Sequence, residues 1–195
     1  MRCAVLDIRT VSAAELARWE TAAEPERRVR WQQFRRPDDR ARSICADHLA
    51  RTLLREAGAQ TPVIRVGRNG KPYVPDGPAF NCSHSGNFVC CAVHGGPVGI
   101  DLEARRPVRA ALAARICTPE ELAFAAPGGR FDSLRFLQLW TAKEAWVKYT
   151  GEGLGVDFRT LPAAAADGLH ETLFGRRLEQ TVTEDYVLSV VYDAV

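Results

Sequence analysis

Between Ser133 and Tyr149 the apolar residues recur nearly all the way round a helix at about 100° per residue. They are Leu134, Phe136, Leu137, Leu139, Trp140, Ala145, Trp146, Val147 and Tyr149, a pattern that predicts a substantially buried helix. Charges are normally kept off such faces. Yet Glu144 falls in angle between Trp140 and Leu137, and Lys148 between Leu137 and Leu134. One turn apart, these two can meet. An exposed pair of this kind contributes only a few tenths of a kcal/mol. Apolar flanks on both sides argue for a more buried setting, where a carboxylate needs a cation or hydrogen bonds. Lys148 can supply part of that, and a metal ion more. Lys143 lies about 100° away and reads as a solvated or phosphate-facing charge.

Elsewhere the pattern predicts a strand over Ala4 to Arg9 and helices from Ser12 to Gly58, broken at Pro25 and Pro37. Asp38 is the expected cap of the last of them. VIRVGRNGKPYV (63–74) reads as a hairpin, with Asn69-Gly70 in a type I′ turn. Ala79 to His84, Phe88 to His94 and Val98 to Glu103 read as strands. Helices are expected at 108–116, 118–125 and 132–149, with Ala163 to Ala166 as a loop and a closing hairpin in TVTEDYVLSVVYDAV. Both halves run from helices into strands, with a join near Gly95 to Pro107.

The chain has 195 residues, 46% of them hydrophobic and 26% charged, so it can bury a core and is not disordered. A net charge of +2 does not call for nucleic acid. MRCAVLDIRT has no apolar leader region, and no run of about 18 apolar residues suggests a membrane span. A cytoplasmic location is the expectation. None of the six cysteines forms a CxxC pair, and buried structural thiols are expected.

VGIDLE (98–103) changes the picture. On a strand Val98, Ile100 and Leu102 face one way, and Gly99, Asp101 and Glu103 the other. The two carboxylates are then about 7 Å apart. A lone DxE is usually an ordinary polar strand face. If Glu144 packs against it, three carboxylates converge, and a hard divalent cation relieves their repulsion. Oxygen ligands without His or Cys favour Mg²⁺, whose shell is completed by water and substrate phosphate. Lys71, Ser83, His84, Arg27, Arg30 and Ser43 supply basic and hydroxyl groups suited to a phosphate substrate, each weak alone. FNCSHSG lacks the GxSxG elbow of a nucleophilic serine.

Four motifs then stand in order: GKPY (70–73), FNCSHSG (80–86), VGIDLE (98–103) and LWTAKEAWVKYTGEGL (139–154). Together they resemble the 4′-phosphopantetheinyl transferases of the surfactin-synthetase-activating type. The resemblance covers residues 25 to 155, and WxxKEAxxK after GxDxE is its most specific part. It implies an α+β fold of two similar halves related by a pseudo-two-fold. Each half is a small, mostly antiparallel sheet on a long helix, and the active site lies between them. The division drawn is 1–99, contributing to coenzyme A binding, and 100–195, carrying the metal-binding acids and the catalytic helix. The implied reaction moves the 4′-phosphopantetheine arm of coenzyme A onto a serine of an acyl or peptidyl carrier protein, releasing adenosine 3′,5′-bisphosphate. The resemblance implies Mg²⁺, with Mn²⁺ as the alternative ion, on Asp101, Glu103 and Glu144. It makes Glu144 the general base and Lys148 a phosphate contact that protonates the leaving group. Lys71, Ser83 and His84 match coenzyme A phosphate contacts, and Arg27, Arg30 and Ser43 match the nucleotide end. A monomer, with no nucleic-acid or membrane partner, is expected.

Two other readings stay open. A different Mg²⁺-dependent nucleotide phosphotransferase is one, although no GxxxxGK[ST] loop is present. The other is a nucleic-acid-binding module using the arginines from Arg27 to Arg42, in which the acids would have no role.

Overall fold

The computed structural model describes residues 1–67, 70–153 and 155–194. Strand β1 (Arg2–Asp7) leads into helices α1 (Ala13–Ala22), α2 (Pro25–Gln32) and α3 (Pro37–Glu56). Pro25 and Pro37 break the helical run by opening new helices, since proline in the first turn forfeits no intrahelical bond. The N-cap of α3 is Arg36, without a side-chain bond, and Asp38 sits in the first turn. The expected Asp38 cap is therefore corrected: proline takes the first helical position, and the acids face the helix dipole instead. Strand β1 starts earlier and ends earlier than expected, because the Asp7 side chain accepts from Arg9 N and turns Ile8–Thr10 into a 3₁₀ turn.

A short hairpin of β2 (Arg65–Val66) and β3 (Pro72–Tyr73) follows, with Val66 opposite Pro72. The arms pair as expected, while the turn expected at Asn69-Gly70 lies in part outside the described residues. Next come β4 (Ala79–Ser85), β5 (Phe88–His94) and β6 (Val98–Ala104), then α4 (Ala110–Ile116), α5 (Pro119–Ala125) and α6 (Ser133–Thr150). The short strands β7 (Ala164–Ala165), β8 (Gly168–Leu169) and β9 (Thr172–Leu173) precede the closing hairpin of β10 (Arg176–Val182) and β11 (Tyr186–Tyr192). The alanine-rich patch is thus not a plain loop. Ala164 and Ala165 pair with β8, and Ala163 and Ala164 are buried because small side chains fit beneath α5.

Two principal sheets form, ordered β1-β5-β4 and β6-β11-β10-β9. Each takes one strand from before its helices and an antiparallel hairpin from after them. Helix α3 covers the first sheet through Ala50, Leu53 and Leu54 against Phe80, Cys91 and Val93. Helix α6 covers the second through Leu139, Ala142 and Ala145, with Leu178 and Val191 beneath. Between the sheets, Phe88, Cys90 and Ala92 of β5 meet Val98, Ile100 and Leu102 of β6 and Leu188 and Val190 of β11. Both faces of β5 are therefore covered, which is why FVCCAVH reads as an unbroken apolar run rather than an alternating one. The fold is α+β, as expected. Four cysteines are buried, Cys82 is half-buried, and Cys3 is exposed because it lies on an edge strand, so the expectation of buried thiols fails there. No helix among the described residues is long and apolar enough to cross a membrane.

Candidate active site

Strand periodicity divides β6 as the sequence requires: Val98, Ile100 and Leu102 fill the core between the sheets. Gly99, Asp101 and Glu103 take the other face, where α6 lies. A side chain at Gly99 is impossible here, since a Cβ would fall 2.0 Å from Ala145 O and 2.3 Å from Tyr149 N. The backbones of α6 and β6 touch at this glycine. That close approach brings Lys148 down beside Asp101.

Lys148 Nζ lies 2.6 Å from Asp101 Oδ1 and 2.8 Å from Ser83 Oγ, and Ser83 donates to the same Asp101 oxygen at 2.8 Å. Strand β4 runs beside β6 in step with it. Ser85 Oγ donates to Glu103 Oε2 at 2.7 Å, and Asn81 Oδ1 accepts from Ile100 N at 3.0 Å. Residues 81, 83 and 85 thus share one face of β4 and tie the two sheets together. Phe80, Cys82 and His84 face the opposite way, toward α3. Ser83 and His84, adjacent in sequence, therefore point to opposite faces: Ser83 to Asp101 and Lys148, His84 to the cleft under α3. Asn81 and Ser85 were missed, although their period-2 spacing from Ser83 was the signal.

Burial raises the Asp101 carboxyl above the usual range; Lys148 and Ser83 oppose the shift without cancelling it, and Glu103 adds to it. Burial also raises Glu144, with the Asp101 and Glu103 charges adding and Lys148 opposing. Asp101 Oδ2 is buried with no hydrogen-bond partner among the described residues. No group of three or more His, Cys, Asp or Glu side chains is gathered closely enough to enclose a metal ion among the described residues. Mg²⁺ does not require one. It takes one or two carboxylates and fills its remaining positions with water and phosphate. A buried carboxylate oxygen unpartnered among the described residues, next to a second acid raised by burial, fits that ion.

Glu144, Lys148, Lys71 and Asn81 line a cleft of about 290 Å³ that also touches Gly70 and Pro72. Lys71 Nζ donates to Lys148 O at 2.6 Å, and burial lowers its pKa. A second cleft, of about 250 Å³, adjoins it along the same Gly70 and Pro72 and is lined by Arg27, Arg30, Ser43, Asp47 and His84. There Arg27 Nε lies 2.6 Å from Asp47 Oδ1, and Ser43 Oγ accepts from Trp31 Nε1 at 2.9 Å. Loss of water around the ring, and then the Arg42 and Lys148 cations, hold His84 below the usual histidine range. Of the ten residues singled out from sequence, seven line these two adjoining clefts; Asp101 and Ser83 lie behind the first, bonded to Lys148, and Glu103 lines neither. One cleft is acidic and lysine-bearing, the other arginine-rich.

Lys143 is the correction. It is neither solvated nor phosphate-facing but wholly buried, 2.6 Å from Glu121 Oε2, and it donates to Ile116 O and Phe158 O. Glu121 also caps α5 by accepting from Thr118 N, and its other oxygen accepts from Ala163 N at 2.7 Å. The charge is tolerated because each polar atom of the pair is engaged. The TPEE sequence signals the cap; nothing local signals the lysine.

The 4′-phosphopantetheinyl transferase superfamily model matches residues 97–191, the span from β6 to β11 that carries the acids and α6. A 4′-phosphopantetheinyl transferase of Bacillus subtilis is 33% identical over 173 residues, covering 85% of this chain and 76% of that protein. The 4′-phosphopantetheinyl transferase Sfp of Bacillus subtilis strain 168 is 32% identical, with 76% of this chain and 69% of that protein covered. The 4′-phosphopantetheinyl transferase psf-1 of Bacillus pumilus is 33% identical over 155 residues, covering 76% of this chain and 66% of its own length. On identity sustained across most of both chains, this protein belongs to the 4′-phosphopantetheinyl transferase superfamily and is an enzyme of that class.

Proposed function

We propose that this enzyme transfers the 4′-phosphopantetheine arm of coenzyme A to a serine of an acyl or peptidyl carrier protein in a Mg²⁺-dependent reaction. The observation that carries the reading is the Asp101 carboxylate, buried beside Glu144, tied to Lys148 and Ser83, and left with one oxygen unpartnered among the described residues. Asp101 and Glu144, with Glu103 beside them, would hold the ion. Mg²⁺ or Mn²⁺, when bound, supplies positive charge against the acids and the pyrophosphate.

The chain's own groups do the rest. Glu144, its basicity raised by burial and by its acidic neighbours, takes the proton of the carrier serine. The serine oxygen attacks the phosphorus that bears the pantetheine arm, and the bond from that phosphorus to the bridging oxygen breaks. Lys148 lies beside the acids, where it can meet the developing negative charge and give a proton to the departing adenosine 3′,5′-bisphosphate. Lys71 meets the pyrophosphate in the same cleft, and Ser83 holds Asp101 and Lys148 in place behind it. Arg27, Arg30, Ser43 and His84 receive the nucleotide end in the adjoining cleft. No covalent intermediate on this protein is needed, because such transfer depends on positioning and charge neutralisation.

On this reading residues 1–99 supply the nucleotide contacts and residues 100–195 the acids and catalytic helix, with β6 spanning the division. The protein acts as a cytoplasmic monomer and binds no nucleic acid. Incubation with coenzyme A, Mg²⁺ and apo carrier proteins, followed by intact-mass measurement, tests the proposal. One phosphopantetheine group should be gained, and EDTA should abolish the gain. A protein that binds no coenzyme A and modifies no carrier would refute it.

A further inference from the structure

Trp31 is 1% exposed, yet it touches two of the groups that line the arginine-rich cleft. We propose that it is a positioning residue, aiming the Ser43 hydroxyl and the Arg27 guanidinium at a phosphate group in that cleft. The identity of the phosphate rests on the proposed use of coenzyme A.

The hydrogen-bond inventory fixes the direction. An indole N–H can only donate, and a serine hydroxyl has one proton and two lone pairs. Trp31 Nε1 donates to Ser43 Oγ at 2.9 Å, crossing from α2 to α3. Ser43 thus accepts from inside the protein and keeps its own proton. No acceptor for that proton appears among the described residues, and Ser43 lines the cleft. A ligand with acceptor oxygens completes the bond.

Arg27 is held by the same residue. Its guanidinium carbon lies 5.5 Å from the centre of the Trp31 ring, and its Nε lies 2.6 Å from Asp47 Oδ1. Asp47 is 4% exposed and is itself fixed by Arg51 Nε at 2.6 Å. The inner side of the guanidinium is therefore held by an ion pair, although Arg27 Nε and Asp47 Oδ1 are not aligned for a hydrogen bond. Its terminal nitrogens make no hydrogen bond among the described residues, and a planar fork so anchored suits a phosphate. The plain alternative is that Trp31 only packs, and that Ser43 merely satisfies a buried N–H.

A double-mutant cycle separates the two. The Kd values for adenosine 3′,5′-bisphosphate and for coenzyme A are measured by calorimetry on wild type, Trp31→Phe, Ser43→Ala and the double variant. Trp31→Phe keeps an aromatic face, though a smaller one, and loses the donor. It should weaken bisphosphate binding about tenfold, and the double variant should bind no more weakly than Ser43→Ala alone. Wild-type affinity in Trp31→Phe, or losses that multiply in the double variant, would overturn the proposal. Should Trp31→Phe not fold, the Trp31 indole N–H resonance of the wild type, assigned by its displacement in Ser43→Ala, decides. It should move on addition of the bisphosphate, and a stationary resonance overturns the proposal. Wild type that binds neither ligand refutes the coenzyme A reading itself. Binding by wild type with Trp31→Phe unimpaired refutes only the role of Trp31.

Discussion

Lys148 Nζ stands 2.6 Å from Asp101 Oδ1, and Ser83 Oγ lies 2.8 Å from both. Three chain segments meet in this triangle: the end of α6, the middle of β6 and the adjoining strand β4. Lys148 is placed both to neutralise the buried acid and to reach a phosphate beside it. Lys148→Ala should lower kcat by about 10²- to 10³-fold, the usual loss for one preorganised charge donor. Lys148→Arg should not restore it, because a planar fork cannot replace an ammonium wedged between two oxygens. Steady-state rates of carrier modification check this, with circular dichroism to confirm the fold.

The raised carboxyls set a pH dependence of stability. Asp101 and Glu144 both titrate above the usual range, chiefly through burial. In that window the native protein holds protons that the unfolded chain has released. Stability of the metal-free protein therefore falls as pH rises from the ordinary carboxylate range through these raised values. Asp101→Asn removes one such group. Its Tm should exceed that of wild type at neutral pH, and its Tm–pH slope should be shallower, while activity is lost. Thermal melts in EDTA across pH 4 to 8 test this; equal slopes would count against it.

Gly99 is required by the contact with α6. A Cβ there would meet Ala145 O at 2.0 Å and Tyr149 Cα at 2.8 Å, both backbone atoms that no rotamer change can relieve. Gly99→Ala should cost about 3 kcal/mol or more, at the upper end for an overpacked site. It should also displace Glu144 and Lys148 from Asp101. Urea unfolding measures the first effect and carrier modification the second.

The Lys143–Glu121 pair makes a separate claim about stability. Both side chains are fully buried, and removing one partner strands the other charge. Lys143→Met should destabilise by about 3–5 kcal/mol. Lys143→Met combined with Glu121→Gln should recover part of that loss, because no buried charge is left uncompensated and the amide oxygen can still accept from a backbone N–H. A double variant less stable than Lys143→Met alone would contradict this account.

Much of this site was legible in the sequence, and what was missed has physical causes. The alternation in VGIDLE placed Asp101 and Glu103 on one face, because strand period and burial agreed there. The all-round apolar pattern of α6 announced a buried helix but gave no way to rank its faces. Lys143 looked like a free charge for that reason: its partner lies on α5, 22 residues earlier, and no spacing rule links them. The resemblance groups Ser83 and His84 with Lys71 as coenzyme A phosphate contacts, whereas strand geometry sends the two neighbours to opposite faces of β4. The cleft that receives Arg27 and Ser43 depends on how α2 and α3 pack, which local pattern does not encode.

The most direct test of the central claim is the joint yield of holo carrier and adenosine 3′,5′-bisphosphate from coenzyme A, compared between wild type and Glu144→Gln. Wild type in Mg²⁺ should give equal molar yields of the two products. Glu144→Gln should keep the fold and coenzyme A binding and form neither product at a measurable rate. Turnover by Glu144→Gln at the wild-type rate would contradict the assignment of the proton acceptor and, with it, the acidic cleft as the site of transfer.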